Sequence, residues 1–111
     1  MSGWRVVYLP EAERERAKLP KAEVAALINA DAKLAALGPG LGYPHSSAVR
    51  GATGLRELRP RGGRSPWRAL YVQIGDHFVV AAVAPEAQVD RRGFDRGCRL
   101  ALQRVAEIEG E

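Results

Sequence analysis

The segment over residues 50–74 most constrains the fold, because it predicts a β-hairpin with a high density of positive charge. Two stretches of strand-forming residues, 54–59 and 67–74, flank a turn rich in glycine, proline and arginine. The segment contains one carboxylate, Glu57, and six arginines: Arg50, Arg56, Arg59, Arg61, Arg64 and Arg68. Because unpaired guanidinium groups repel one another and are costly to bury, we expect water or an anionic partner in front of this hairpin.

The excess positive charge of the chain is local. Residues 1–47 contain six cationic and five acidic side chains, whereas residues 48–104 contain eleven arginines and five acids. Arginine binds phosphate in a planar, bidentate geometry that lysine does not offer. The charge pattern therefore favours a nucleic acid as the anionic partner.

Length and composition set further expectations. A chain of 111 residues suits one domain, which we predict over residues 1–111. No apolar run approaches the roughly 20 residues that cross a bilayer, so no membrane partner is expected. The N-terminus reaches charged residues too early for a signal peptide, which predicts a cytoplasmic protein. Two histidines and one cysteine do not have the spacing of a zinc site, so neither a metal nor another cofactor is expected.

The predicted elements alternate between strand and helix periodicity. In chain order they are a strand (4–9), a short helix (11–18), a helix between Pro20 and Gly38 (21–37), an irregular linker (38–53), three strands (54–59, 67–74, 77–83) and a terminal helix (94–109). The three strands predict an antiparallel meander. The order implies an α+β domain, with an N-terminal strand, two helices, the meander and a C-terminal helix, and with the helices on one face of a small sheet.

Apolar residues at helical spacing predict the buried faces of two helices. On the second helix they are Val24, Leu27, Ile28, Leu34 and Leu37, and on the terminal helix they are Phe94, Cys98, Leu102 and Val105. Cys98 lies in an arginine-rich segment that could lower the pKa of its thiol. We interpret Cys98 instead as a small apolar residue on the helix face.

Arg59 and Arg68 are the candidates for binding one phosphate from two sides. Arg59 ends one predicted strand and Arg68 begins the next, so hairpin pairing brings them close together at the open end of the sheet. Arg68 shares strand parity with core residues, and we expect its head to reach out of the sheet. The alternative is that Arg59 pairs with Glu57 or another acid and that Arg68 is solvated.

Histidine is the side chain suited to acid–base chemistry near neutral pH. His77 begins a strand beside Asp76 and is interpreted as a turn residue. His45 follows Pro44 just before the basic hairpin, which makes it a candidate for contact with a substrate.

The order of short motifs resembles the RelE/HigB superfamily of toxins, and in particular its phage-derived HigB-like branch. The motifs are Leu34, Gly38, Leu41 and Pro44, then GLRELR at 54–59, then WRALY at 67–71 after a basic turn. The resemblance covers nearly the whole chain, including the first strand and the two helices. It implies a compact α+β toxin of a type II toxin–antitoxin system that enters the decoding site of the ribosome and cuts mRNA there without a metal.

The resemblance also implies roles for single residues and for partners. The ribose 2′-OH attacks the adjacent phosphodiester, and the family's two arginines fall on Arg59 and Arg68, with Tyr71 as the matching aromatic residue. Arginine can stabilise charge on phosphoryl oxygens but is a poor general base. The implied partners are mRNA, the ribosome and a cognate antitoxin of HigA-like type with a helix-turn-helix domain.

One departure from the family pattern concerns catalysis. Many members carry a pair of cations directly after the last strand, whereas this chain has VAPEAQ at 83–88. Arg91 and Arg92 follow and could take that place, or they could be solvated loop charges.

The candidate catalytic residues are thus Arg59, Arg68, Arg91 and Arg92, and the candidate RNA-binding residues are Arg50, Arg56, Arg61, Arg64, Tyr71 and His45. Two alternatives stay open: a ParE-like gyrase inhibitor, and a non-catalytic RNA- or protein-binding member of the same fold.

Overall fold

The computed structural model describes residues 3–110, which form five strands and three α-helices around one sheet. The elements are β1 (Arg5–Tyr8), α1 (Pro10–Ala17), α2 (Lys21–Leu37), β2 (Ser46–Ala48), β3 (Arg56–Leu58), β4 (Trp67–Ile74), β5 (His77–Pro85) and α3 (Arg91–Glu109). Short 3₁₀ turns cover Gly38–Gly40 and Pro60–Gly63. None of the helices in this described range is long and apolar enough to cross a membrane.

The strands are arranged in the order β1-β5-β4-β3-β2. The predicted meander of β3, β4 and β5 is confirmed, and its longest ladder runs from Trp67 opposite Pro85 to Ile74 opposite His77. β1 adds to β5 in parallel, and β2 adds to β3 in antiparallel orientation. The linker prediction missed β2, because its sequence, Ser-Ser-Ala, has no alternation that marks a strand. The predicted α+β class is correct, and the sheet has five strands.

Helices cover both faces of the sheet. Neighbouring residues on a strand point to opposite faces, and Ala69 packs in a cluster with α1 and α2 whereas Leu70 packs in a cluster with α3. The expectation that all helices lie on one face is therefore wrong. The reason is visible in β5, where Phe78–Ala82 is a continuous run of buried apolar residues that needs cover on two sides.

The core-facing stripe of α2 is narrower than predicted. Leu27 and Leu34 are fully buried, but Ile28 is 52% exposed and Leu37 is 59% exposed. The small side chains of Ala26 and Ala30 supply the rest of the contact and let α2 lie close to the sheet. The predicted helix bounds, 21–37, are correct.

An ion pair closes the edge of β5 beyond the end of β1. β1 pairs with β5 only as far as Tyr8 opposite Val80. Beyond that point the Val83 N–H donates to Glu15 Oε1 at 3.0 Å. Arg104 Nη1 donates to the Ala81 carbonyl at 2.9 Å, and Arg104 Nη2 lies 2.9 Å from Glu15 Oε2. The pair thus joins α1, α3 and the strand edge.

α3 begins three residues earlier than predicted and packs closely on the sheet. Asp90 is its N-cap and accepts a hydrogen bond from the Gly93 N–H at 2.9 Å. A Cβ atom on Gly97 would lie 2.6 Å from Ala84 Cβ, which shows how near the helix approaches β5. Burial raises the pKa of the Cys98 thiol to about 11, so the alternative of a lowered pKa is wrong.

Candidate nucleic-acid interface

The six arginines of the hairpin do not form one cluster. Arg59 and Arg68 share Glu57, whereas Arg61 pairs with Glu23 of α2 and Arg68 also reaches Glu86 after β5. Carboxylates from distant parts of the sequence therefore neutralise much of the charge that looks unpaired in residues 50–74. The expectation of water or an anionic partner in front of the hairpin is therefore wrong for the arginines that carboxylates hold.

Arg68 lies inside the protein and organises the turn between β3 and β4. Its residue exposure is 1%, and its Nε atom donates to Glu57 Oε1 at 3.1 Å. Its two terminal nitrogens donate to Glu86 Oε2 and to three carbonyl oxygens, which belong to Gly63, Ser65 and Trp67. The expectation that its head reaches out of the sheet is wrong, because the turn carbonyls point inwards and require a donor.

The surroundings of Arg68 shift the pKa of its guanidinium. Burial and then repulsion from Arg59 lower the pKa of the Arg68 guanidinium, while Glu57 and Glu86 act in the opposite direction. A phosphate would have to displace carboxylates that are already in place to reach this side chain. Arg68 consequently holds Glu57, Glu86 and the turn carbonyls in place.

Arg59 lies at the end of β3 with part of its guanidinium accessible. Its Nη1 donates to Glu57 Oε1 at 2.9 Å and its Nε donates to the Pro44 carbonyl at 3.0 Å. The guanidinium carbon lies 5.1 Å from the centre of the Tyr43 ring. Arg59 and Arg68 thus meet at one oxygen of Glu57, and the alternative of an Arg59–Glu57 pair is realised while Arg68 is not solvated.

A cleft of about 390 Å³ lies between α2 and the β2–β3 region, and we call it the α2 cleft. Its polar lining residues are Asn29 and Lys33 from α2 and His45, Arg59 and Arg61 from the facing side. Leu41, Leu58 and four alanines of α2 form the apolar part of its lining. The cleft therefore combines cations, an imidazole and apolar surface in one concave site.

Arg61 is tied to one wall of the α2 cleft. Its Nη1 lies 2.8 Å from Glu23 Oε2, and its Nη2 donates to the Ala22 carbonyl at 3.1 Å. Hydrogen bonds from Arg61 and then from Ser65 lower the pKa of the Glu23 carboxyl. Arg64 is exposed and donates from Nε to the Arg61 carbonyl, so its terminal nitrogens are directed to solvent.

Tyr71 is a core residue. Its hydroxyl lies 2.6 Å from Ser46 Oγ, and its ring packs edge-on against Phe78 with ring centres 5.8 Å apart. Arg56 donates from Nε to Ser46 Oγ at 3.1 Å beside it. Since Tyr71 is almost completely buried, the expectation that its ring contacts RNA is wrong. Pairing of β3 with β4 places this ring on the face that α2 covers.

Arg50 and Arg91 lie on the other face of the sheet, in a groove of about 490 Å³ that we call the α3 groove. Arg91 pairs with Asp95 at 3.4 Å, whereas Arg50 has no hydrogen-bond or ion-pair partner within residues 3–110. Arg92 is exposed at the start of α3 and lines neither site. The structure thus separates Arg91 and Arg92 from Arg59, because α3 packs on the face opposite the α2 cleft.

The comparisons with known proteins agree with this architecture. Residues 14–84 match the family described as Phage derived protein Gp49-like (DUF891). The chain belongs to this family. The fold is similar to that of one chain in the structure of the toxin–antitoxin complex RelBE2 from Mycobacterium tuberculosis, with a TM-score of 0.59 and 24% identity. The match covers 78% of this chain and 95% of the RelBE2 chain. No curated protein sequence matches. The family match confirms the resemblance to a phage-derived family, and the structural match shows that the fold is RelE-like.

The Gp49-like region contains site residues that sequence reasoning missed. Tyr43 is 77% exposed beside Arg59, and Asn29 and Lys33 face the same cleft from α2. A signal for the last two existed, since they are polar residues four positions apart on an alanine-rich helix. Among residues 3–110, no group of histidine, cysteine and acidic side chains could hold a metal ion.

Proposed function

We propose that this protein is the toxin of a type II toxin–antitoxin pair and acts as a ribosome-dependent mRNA endoribonuclease. Membership of the Gp49-like family and the similarity in fold to RelBE2, a toxin–antitoxin complex, support the first half of this proposal. The α2 cleft supports the second half. The proposed partners are mRNA, the ribosome and a HigA-like antitoxin with a helix-turn-helix domain, and the proposed location is the cytoplasm.

The observation that carries the proposal is the set of groups around the α2 cleft. His45 offers an imidazole, Arg59 offers a guanidinium fixed by Glu57, and Lys33 offers a cation from the facing helix. The exposed ring of Tyr43 lies beside Arg59 and can stack against a base. Single-stranded RNA is recognised in this way, by stacking on aromatic rings and by contacts of cations with phosphate.

In the proposed reaction the ribose 2′-oxygen forms a bond to the adjacent phosphorus, and the bond from phosphorus to the 5′-oxygen breaks. His45 accepts the 2′-OH proton, and water or the protonated imidazole supplies a proton to the leaving 5′-oxygen. Arg59 and Lys33 stabilise the negative charge that develops on the phosphoryl oxygens. The products are a 2′,3′-cyclic phosphate and a free 5′-hydroxyl.

Arg68 acts through Arg59 in this proposal. Both guanidiniums bind Glu57 Oε1, and Arg68 also holds the carbonyls of the turn that carries Arg61. Fixing the cations before RNA arrives reduces the reorganisation that the reaction requires. Arg68 is therefore proposed as a positioning residue and not as a direct phosphate ligand.

The test is cleavage of a defined mRNA by the purified protein with and without ribosomes, mapped by primer extension. Wild-type protein is expected to cut only when ribosomes are present. His45→Ala is expected to lower the rate about 10²- to 10⁴-fold, as for loss of a general base. Arg59→Ala is expected to lower it about 10²- to 10³-fold, as for loss of a charge-stabilising donor. Arg5→Ala, an exposed arginine on the strand at the far sheet edge, is the matched control.

Intact mRNA with inhibited DNA supercoiling would instead indicate a gyrase inhibitor of the ParE-like branch. Intact mRNA with retained RNA or protein binding would indicate a non-catalytic member. One observation favours this second alternative: Glu86 directly follows β5, where the resembling toxins carry a cationic pair, and its carboxylate binds Arg68. The location of His45 in the α2 cleft argues for the catalytic proposal.

A further inference from the structure

The α3 groove is a second basic site that the proposed reaction does not use. It lies between the loop after β2 and the side of α3. Arg50 and Arg99 line it from these two elements, and both side chains are exposed. Neither guanidinium has a hydrogen-bond or ion-pair partner in the range 3–110. These two cations differ in this respect from Arg59 and Arg61, which carboxylates hold.

The other charged groups of the groove are already engaged. Asp95 pairs with Arg91 at 3.4 Å, and Glu57 accepts hydrogen bonds from Arg59 and Arg68. The two unpartnered guanidiniums therefore dominate the charge that a ligand would meet. Guanidinium groups bind carboxylates in a bidentate geometry, which suits acidic side chains of a partner.

The lining between the two arginines is apolar. Val49, Phe94 and Leu102 contribute to it. Leu102 is 40% exposed, so the prediction that it lies on the buried face of α3 is wrong. Phe94 is almost fully buried, so no accessible aromatic ring lines this groove. A nucleic-acid strand would find cations here but no platform for its bases, whereas aliphatic side chains of a peptide would find apolar surface to cover.

The dimensions suit a helical peptide. The residues of α3 that line the groove run from Arg91 to Leu102, a distance of about 16 Å along the helix axis. A partner helix of about three turns has the same length. Acidic residues on its flanks would meet Arg50 and Arg99, and apolar residues between them would cover Leu102.

We propose that the α3 groove binds an acidic amphipathic helix of a partner protein. This inference rests on the proposed function in one point, since in a toxin–antitoxin pair the partner is the antitoxin. The groove and the α2 cleft lie on opposite faces of the sheet, so a partner on the groove leaves the cleft itself open. The structure thereby assigns recognition of the partner and contact with RNA to separate surfaces.

The experiment measures binding of a labelled synthetic helix to the full-length protein by fluorescence anisotropy. The probe is a peptide of about 18 residues, five helical turns, with glutamate flanks and a leucine stripe. A peptide with lysine in place of glutamate, a poly-glutamate peptide and a single-stranded oligoribonucleotide serve as comparison ligands. Wild-type protein is expected to bind the acidic amphipathic peptide most tightly, with an affinity that falls as salt is added.

Three variants identify the groove. Arg50→Glu and Arg99→Glu are each expected to weaken binding at least about tenfold, because each turns an attraction into a repulsion. Leu102→Ser is expected to weaken the amphipathic peptide but not poly-glutamate. Arg96→Glu is the matched control, since it makes the same charge change on the same helix but points into a different depression, beside Trp67. The thermal midpoint of each variant confirms that it is folded.

Several results would overturn the inference: no binding of the acidic peptide, equal loss of binding in Arg99→Glu and Arg96→Glu, or tighter binding of the oligoribonucleotide that Arg99→Glu abolishes. The last result would make the groove a nucleic-acid site. Failure of the proposed function has a different signature. In that case wild-type protein does not cut mRNA, while the peptide binds and responds to Arg99→Glu as described.

Discussion

The α2 cleft and the α3 groove lie on opposite faces of one sheet, and arginines line both, but the arginines are held differently. In the α2 cleft Glu57 and Glu23 fix Arg59 and Arg61. In the α3 groove Arg50 and Arg99 project from the loop and the helix without such partners. The cleft adds an imidazole and, at its side, an exposed aromatic ring, whereas the groove adds aliphatic surface.

Under the two proposals, this difference lets one residue type serve two purposes. A guanidinium that a carboxylate already holds keeps its position, which suits a reaction that depends on exact geometry. A free guanidinium can follow the shape of its ligand, which suits recognition of a flexible, acidic partner. Local sequence distinguishes the two cases only in part: Glu57 lies two residues from Arg59, but Glu23, which holds Arg61, comes from α2.

The largest expected effect comes from removing the buried side chain of Arg68, which lies between the two sites. Arg68→Ala leaves Glu57 and Glu86 without their buried partner and leaves turn carbonyls without donors. We expect the free energy of unfolding to fall by about 3–5 kcal/mol. Urea denaturation measures this change. Arg64→Ala, an exposed arginine four residues away, is the control and is expected to change stability by less than about 0.5 kcal/mol. A small effect of Arg68→Ala would contradict its role as a positioning residue.

A methyl group added at Gly97 is expected to affect the α3 groove and not the α2 cleft. In Gly97→Ala the new Cβ would lie 2.6 Å from Ala84 Cβ and 3.3 Å from Leu70 Cδ1, so α3 must move away from β5. We expect a loss of about 1–3 kcal/mol in stability and weaker peptide binding at the α3 groove. mRNA cleavage at the α2 cleft is expected to persist. Gln103→Ala, on the exposed side of α3, should leave all three measurements unchanged. Equal loss of cleavage and peptide binding in Gly97→Ala would show that the sites are not independent.

Alanine substitutions at two adjacent glycines test the α2 cleft alone. Gly62 and Gly63 both have positive φ values, 63° and 96°, so alanine at either position is expected to cost about 1–2 kcal/mol. Only a Cβ on Gly63 would clash with Arg59, at 2.6 Å from Nη2, whereas a Cβ on Gly62 has no neighbour nearer than 3.8 Å. Gly63→Ala should therefore reduce the cleavage rate at least about tenfold more than Gly62→Ala, because it displaces Arg59. Equal rates in single-turnover cleavage would remove Arg59 from the proposed site.

The smallest expected effect on the two sites concerns pH, because the titrating group, Asp31, lines neither of them. The Tyr8 hydroxyl donates to both carboxylate oxygens of Asp31, and burial raises the pKa of Asp31 to about 6. Because this value is above that of the unfolded chain, the group stabilises the fold below about pH 4, and this contribution is lost as the pH rises through 6. Asp31→Asn should flatten the stability profile between about pH 4 and 7, by up to about 3 kcal/mol for a shift of about two pKa units. A pH-dependent cleavage rate that persists in Asp31→Asn would then originate in the α2 cleft.

The sequence predicts most of the fold because apolar periodicity and the punctuation by proline and glycine are local signals. The bounds of α2 follow from Pro20 and Gly38, and the meander follows from two apolar strands separated by Gly75 and Asp76. The side of the sheet on which α3 packs has no local signal. β2 also escapes prediction, since its place depends on pairing with β3 and not on its own three residues.

The site is less predictable than the fold. Their positions in the hairpin correctly predict that Arg59 and Arg68 lie close together. The same positions do not predict that Glu86 and the turn carbonyls enclose Arg68. Tyr71 looks like a binding residue because of its strand position, yet the register opposite Arg56 places it against Phe78 in the core. Side-chain burial in a sheet depends on which helix covers each face, and that is a property of the whole fold.

The ion pair of Glu15 and Arg104 takes the place of a further residue of β1 along the edge of β5. Its carboxylate accepts from the Val83 N–H and its guanidinium donates to the Ala81 carbonyl, as a neighbouring backbone would. Exposed strand edges invite pairing with other chains and aggregation. With this stretch of β5 closed by side chains, and with outer strands β1 and β2 of only four and three residues, the sheet offers little backbone for strand addition. We therefore expect partners of this protein to recognise its side chains.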